Sequence, residues 1–359
     1  MRIAIHPDDY TNPKTGKYDA SSPRWADLLE KAGHEVKWVN VYRADILEQL
    51  KGCDGFMWRW AHFGGMGQIA RRLLPVIENE LGLEVYPDQA TCWHYNDKIA
   101  QYYLLTAAGI PMPKTWVWFE RGQVLEWIRT ATFPLVLKLW AGAGSTNVRL
   151  VRDVRKAEEW IERLFGQGVY SLASASRAPW GWKRRIRAVA KSLLLGQPLN
   201  EERSQWQLHK NYVLFQEFIP DNEFDTRVIV IGNRAWACRR FNREKDFRAS
   251  GSGLVDQTPG KISKDILLFS FDVSRRLRTQ SVALDILLKD GAPVLCEISY
   301  TFPRYKPWNQ FPGYWFSDLT WVNEPMLTED AQVEDFLVRL EARKKNLRGI
   351  KIAHSISNP

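Results

Sequence analysis

The chain lacks the features that would place it in several large classes. No run approaches the roughly 18 apolar residues a membrane span needs, and the opening MRIAIHPDDY has no apolar stretch of a secretion signal. The expectation is a cytoplasmic protein. Cysteine is scarce: Cys53, Cys92, Cys238 and Cys296 are scattered and form no CxxC pair, so they read as small buried hydrophobes, not as a zinc site or a disulfide framework. The glycine-rich turns are followed by no GK[ST] and open no helix, which excludes a P-loop. There is no nucleophile elbow and no evident Cys and His dyad, so nothing points to a covalent nucleophile. Acid is short relative to base, with 41 Asp and Glu against 50 Lys and Arg. The resulting charge of +9 implies an anionic partner: nucleotide, acidic sugar, acidic peptide, membrane surface or nucleic acid.

What is present is ordinary globular material. With 359 residues, 45% hydrophobic and 25% charged, the chain has room for two or three domains and a large core. The 17 tryptophans are many, and those in loops offer faces for stacking on a sugar or base. RIAI reads as a first strand, Pro23 to Ala32 as a helix stopping at Gly33, HEVKWVNV as a second strand and DGFMWRW as a third. Such alternation argues a parallel sheet, whose ligands sit beyond the carboxyl ends of its strands. RWAHFGGMG lies at such an end, making Arg59 and His62 candidates to hold a substrate, although a surface arginine and a loop histidine would look the same.

A boundary follows, with a helix from about Asn96 to Ala108 before the IPMP turn. Lys98 falls in its first turn, where a solvated lysine is also common. FPLVLK is an apolar strand ending in Lys138, and Gly142, Gly144 and Ser145 form a small-residue loop behind it; glycines let backbone amides approach phosphate oxygens while a strand-end lysine supplies a charge. From Tyr170 to Lys210 eight basic residues face two acids, a local charge of +6. WGWKRRIRAVAKSLLL in this insert reads as a helix with one basic and one apolar face, either packed on the body or gripping an anionic acceptor or a membrane surface. YVLFQEFI, DTRVIVIG and RAWACRRF then read as strands, the last two joined by a turn at Gly232 and Asn233. Gln216, Glu217, Phe218 and Ile219 make an edge suited to adenine, with backbone polar groups to match the base and apolar side chains to sandwich it. REKDFRASGSG brings Arg248 beside a second small-residue loop. Finally Asp285 in VALDILL and Glu297 in VLCEISY sit on two strand runs separated by KDGAP. Two carboxylates reaching one spot suit a hard divalent cation that is completed by phosphate oxygens and water. Taken alone, the pair is equally two surface acids at strand ends.

In this order, Lys98, Lys138, the AGAGS loop, QEFI, DTR, FRASGSG, Asp285 and Glu297 give a chain that resembles the ATP-grasp superfamily, most of all its glutathione synthetase and ribosomal-protein glutamate ligase branch, over roughly residues 85 to 320. The resemblance implies an α/β fold, α+β in its catalytic part, with residues 1–90 as a preceding parallel-sheet domain. Residues 91–211 would form the central subdomain, 212–329 the metal-binding subdomain, and 330–359 a helix and basic tail. It implies ATP with Mg²⁺, Mn²⁺ being a possible substitute. Lys98 and Lys138 would contact phosphates, and Gly142, Gly144 and Ser145 would cover them. Glu217 and Ile219 would meet adenine within the edge from Gln216 through Phe218, and Glu223 the ribose. Arg227 and Arg248 would steady the transferred phosphoryl group; Asp285 and Glu297 would hold metal. Ser299 departs from the family's asparagine, putting direct coordination of a second metal in doubt. The implied reaction joins a carboxylate to an amine through an acyl phosphate, on an amino acid or a sugar acid of a surface polysaccharide, in a possible homo-oligomer. A kinase of the same superfamily and a non-catalytic nucleotide binder are the alternatives, and no nucleic-acid motif appears.

Overall fold

The computed structural model describes residues 1–8, 20–62, 65–142, 147–172, 206–243, 253–303 and 310–356. The alternating start of the chain pairs its strands in parallel: β1 (Arg2–Ile5), β2 (Glu35–Trp38), β3 (Gly55–Met57) and β4 (Glu84–Tyr86) lie in the order β2-β1-β3-β4. A parallel sheet needs cover on both faces. One face buries Ala70, Leu74 and Ile77 against Ala4, Phe56 and Val85. The other buries Trp25 and Leu29 of the helix Ser22–Lys31 together with Val333, Phe336 and Leu340 of the final helix, Thr328–Ile356. The C-terminal helix therefore returns to complete the first sheet. Gly55 permits this approach, since a Cβ there would lie 2.6 Å from the Phe336 ring. Arg24 to Asp330 at 2.7 Å and Lys344 to Asp54 at 2.9 Å fix the helix at its start and near its middle.

The second region is antiparallel. β5 (Thr115–Trp118), β6 (Leu135–Lys138) and β7 (Val148–Val151) share a sheet with β10 (Val213–Glu217) in the order β5-β10-β6-β7, while β8 (Val169–Leu172) and β9 (Trp206–His209) form a separate hairpin. That hairpin carries the basic insert, most of which, with its expected helix, lies outside the described residues. The helices Arg121–Trp127 and Val154–Phe165 place Val124, Ala157, Ile161 and Leu164 against Leu135, Leu137 and Phe215.

The third sheet is built from β11 (Phe224–Ile231), β12 (Arg234–Phe241), β13 (Val255–Asp256), β14 (Ser281–Lys289), β15 (Ala292–Ser299), β16 (Tyr314–Phe316) and β17 (Trp321–Val322), ordered β15-β14-β11-β12-β16-β17 with β13 beside β12. The meander expected of DTRVIVIG and RAWACRRF is present, paired from Ile231↔Arg234 outward. Hydrogen bonds stitch this sheet to the first region: the Gln280 side chain donates to the Val85 carbonyl at 2.9 Å and accepts from the Asp88 N–H at 3.0 Å. Among the described residues no helix is long and apolar enough to cross a membrane. Of the four cysteines, Cys92 and Cys238 are buried as expected, whereas Cys53 and Cys296 are only half-buried.

Two fully buried histidines make stability depend on pH. Burial pushes His94 and His209 down to about 4, so both fold neutral. In the unfolded chain each binds a proton below about 6.5. Unfolding therefore takes up protons between these values, and stability is lost as pH falls through the window. Urea unfolding at pH 7.5 and 5.0 should show a loss of roughly 2 kcal/mol for each of the two groups; equal stability at both pH values would contradict neutral burial.

Candidate active site

The site is a row of opposed side chains crossing four strands of the third sheet. Antiparallel register sets Asp225 on β11 opposite Arg240 on β12, Arg227 on β11 opposite Asp285 on β14, and Asp285 opposite Glu297 on β15. Asp225 and Arg227 are two residues apart on one strand, so both point to the same face. Arg227 donates to both Asp285 oxygens, at 2.8 and 2.9 Å. Arg240, only 4% exposed, donates to Asp285 at 2.7 Å and to Asp225 as well. Burial alone would raise Asp285, but Arg227 and Arg240 beside it hold its carboxyl below the usual carboxylate range. Asp225 goes the other way, because its burial outweighs Arg240.

A β-bulge aims Glu297 into this row. The pairing Lys289↔Ala292 continues to Ile286↔Leu295, then shifts so that Asp285 faces Glu297 and Cys296 is the extra residue. Cys296 thereby sits beside Lys138, yet burial pushes its thiol up to about 12 and keeps it protonated. Glu297 accepts from Lys98 Nζ at 3.0 Å. Lys98 opens the helix Lys98–Ala107, whose N-cap Asp97 accepts from the Ile99 and Ala100 N–H groups. It is 8% exposed, and the solvated-lysine alternative does not describe it. Lys138 ends β6 almost fully buried, and burial lowers its pKa, with Cys296 and Glu297 opposing.

Both feet of the glycine-rich loop are clamped. Trp140 N–H donates to the Tyr212 hydroxyl at 2.9 Å and the Trp140 carbonyl accepts from the Lys98 N–H at 2.8 Å. Gly142 N–H donates to Asn96 at 3.0 Å, and its carbonyl accepts from Lys98 Nζ at 3.1 Å. At the far foot Asn147 donates to the Ala141 carbonyl at 2.6 Å. Gly142 has φ +135°, and a Cβ there would overlap the Asn147 amide, so only glycine serves. Gly144 and Ser145, like Arg248, lie outside the described residues.

The edge expected to meet adenine has side chains committed elsewhere. Gln216 donates to Thr115 Oγ1 at 2.9 Å. The Glu217 carboxylate accepts from Lys289 at 2.6 and 2.8 Å, and its N–H is spent on the Lys114 carbonyl at 2.8 Å. What Glu217 can offer a base is its carbonyl. Phe218 and the buried Ile219 follow at the strand end, and Glu223 is exposed at the start of β11, its carbonyl accepting from Asn242. Arg227 belongs to the acidic row, paired with Asp285. The first sheet contributes Arg59, which donates to Thr301 Oγ1 at 3.1 Å and pairs with Asp8 at 3.2 Å.

No protein-family model matches the sequence, and no curated protein matches it. Solved structures do match in shape. The ADP complex of purK, an N5-carboxyaminoimidazole ribonucleotide synthetase, superposes with a TM-score of 0.55 at 12% identity, over 91% of this chain and 79% of that one. The ATP-grasp ligase PsnB, complexed with minimal precursor, Mg and ADP, gives 0.52 at 13% identity over 95% and 98%. The D-alanine–D-alanine ligase of Bacillus anthracis gives 0.51 at 14% over 96% and 99%. The chain has the ATP-grasp fold.

In an ATP-grasp frame, the donor set fits one divalent cation. Asp285 and Glu297 are hard oxygen donors directly opposite each other, and carboxylate oxygens retain further lone pairs beside their arginine and lysine partners. Among the described residues no cluster of three His, Cys, Asp or Glu side chains forms a cage. Ser299 is turned away, its hydroxyl donating to the Thr301 carbonyl at 2.5 Å. Sequence reasoning missed Arg240, Asp225, Tyr212 and Tyr300. Arg240 had a signal: counting outward from the Gly232 turn pairs residue 240 with residue 225.

Removing one member of the buried row leaves the others uncompensated. Asp285→Asn should cost about 3–5 kcal/mol of stability by urea unfolding, because Arg240 then keeps a single acid. A loss below about 0.5 kcal/mol would contradict the row as drawn.

Proposed function

We propose that this chain is an ATP-dependent ligase that joins a carboxylate to an amine and releases ADP and phosphate. The observation carrying this reading is the convergence of Lys98, Lys138 and Arg227 on the Asp285 and Glu297 pair, at the clamped foot of the glycine-rich loop. Phosphoryl transfer asks a protein mainly to align donor and acceptor and to neutralise charge on the phosphoryl oxygens. Fixed cations beside two carboxylates that would hold a divalent ion would supply both. Shape neighbours that are named as ligases and a synthetase support the same reading.

The residues divide the work. Lys138, held by burial at a strand end, and Lys98, held by the helix cap, would draw the phosphates into the sheet junction. Arg227, fixed from below by Asp285, would face the transferred group. The metal would supply Lewis-acid charge neutralisation at Asp285 and Glu297. The first sheet's carboxyl edge, with Arg59, would present the acid and amine. An amino acid or sugar acid is the substrate class we infer for the carboxylate, with a surface polysaccharide as its setting. The basic insert would favour an anionic acceptor.

Magnesium-dependent ADP release across amino acids, sugar acids and peptides, with hydroxylamine present, tests this. ADP with a hydroxamate is the expected result, and Glu297→Gln should lower both by about 10²–10³, with urea unfolding run beside it because the substitution also takes the carboxylate from Lys98. A stable phosphoryl product without hydroxamate would make the protein a kinase, and absence of ADP release would overturn the enzyme reading.

A further inference from the structure

β2 is an edge of the first sheet, and among the described residues β1 is its one strand neighbour. Two hydrogen bonds fix the direction of its backbone groups. The Glu35 N–H donates to the Met1 carbonyl and the Val39 N–H to the Ile5 carbonyl, both at 2.9 Å. Alternate residues of a strand turn their polar groups to the same side, so Glu35, Lys37 and Val39 face β1 while Val36 and Trp38 present N–H and C=O outward. The chain itself uses the amides that flank this stretch. His34 N–H donates to the Leu29 carbonyl at 3.0 Å, and Asn40 N–H to the Gln49 side chain at 2.9 Å. Beyond Trp38, outward pairing therefore stops.

Apolar surface gathers at the same place. Trp38 is 50% exposed and Tyr42 52%, and Leu47 is exposed with them, all between residues 38 and 47. Grouped exposure of this kind marks an interaction surface, whereas single exposed apolar side chains do not. The charges say what fits. Register with β1 puts Val36 and Trp38 on the face of Ile3 and Ile5, and Glu35 and Lys37 together on the opposite face. An acid and a base two residues apart on an edge complement the same two residues run in the opposite direction.

A second copy offers that strand. Pairing β2 with β2 about a two-fold axis normal to the sheet keeps the faces aligned, so odd residues meet odd and even meet even. An axis through Val36 lets the two Val36 residues exchange both N–H···O bonds, directs the Trp38 N–H to the His34 carbonyl of the second copy, and sets Glu35 opposite Lys37 on both sides of the axis. An axis through Glu35 or Lys37 would instead set like charges against each other, which cross-strand neighbours disfavour. Charged edges ordinarily keep sheets apart; here the alternation of sign blocks the shifted registers and admits one.

We infer that the chain forms a two-fold dimer through antiparallel pairing of β2 with β2 of a second copy, Val36 lying on the axis, so that two four-stranded sheets join edge to edge. This inference stands apart from the ligase reading. A short strand with one flanking aromatic cluster is a small interface, and the dimer is accordingly a micromolar one.

Sedimentation velocity of the full chain, from low to high micromolar concentration, tests it. A dimer that dissociates on dilution is expected. Glu35→Lys and Lys37→Glu each place like charges opposite one another twice, and each should weaken the dimer by about tenfold or more. Because Glu35 also pairs with Arg2 at 2.7 Å, the decisive variant carries both substitutions: it restores opposite charges in the same register, and its dissociation constant should return to within about threefold of the wild type. A chain that stays monomeric throughout would mean that this edge meets another strand or none. A dimer indifferent to both single substitutions would have its interface elsewhere, and single losses that the combined variant does not recover would contradict the register. Each of these three results overturns the proposal.

Discussion

Arg240 lies buried between Asp225 and Asp285, and the arrangement of the site follows from satisfying that one charge. A guanidinium out of water is tolerable only when its donors are matched by carboxylates in good geometry. Two acids on neighbouring strands do this, and Arg227 neutralises the excess charge of the second. Asp285 is therefore ionised, oriented and rigid before any ligand arrives. The bulge at Cys296 sets Glu297 beside it, and Glu297 in turn holds Lys98, whose peptide and ammonium grip Trp140 and Gly142. Charge pairing thus runs from β12 to Asp285, and from its cross-strand neighbour Glu297 to the foot of the glycine-rich loop.

Packing supplies what charge pairing does not. The Tyr300 hydroxyl, closed on the Trp60 backbone, ties the exit of β15 to the first sheet, and Gln280 ties the start of β14 to β4. The last helix returns to cover the same first sheet through Phe336. Lys98, Lys138 and Glu297, distant in sequence, are in this way held at one junction by strands and a capped helix. Preorganisation of this kind lets fixed charges act without reorganisation cost during phosphoryl transfer.

Much of this was legible in the sequence because hairpin arithmetic is local. From the Gly232 turn, pairing runs outward to Asp225 and Arg240, and the D-x-R spacing places its two charges on one face. From the turn at Asp290 and Gly291, both at positive φ, the same counting sets Asp285 opposite Cys296, one residue short of what the sheet shows. The bulge that corrects it has no signature in VLCEIS; its extra residue, Cys296, sits beside Lys138 from another segment. The return of the C-terminal helix and the Tyr300 clasp were illegible for the same reason: each depends on surfaces brought together only after the sheets form. Glu217 shows the converse, a residue correctly placed at the end of a strand whose carboxylate the sequence could not assign to Lys289.

We propose that the junction of Lys98, Lys138, Asp285 and Glu297 holds the phosphates of a magnesium nucleotide. The measurement to make is calorimetric titration of the full chain with a non-hydrolysable ATP analogue and Mg²⁺, beside Lys138→Met. Saturable one-site binding is expected in the wild type, weakened by about tenfold or more in the variant, or about 1.4 kcal/mol. Absence of saturable binding, or equal affinity in the two proteins, would contradict it.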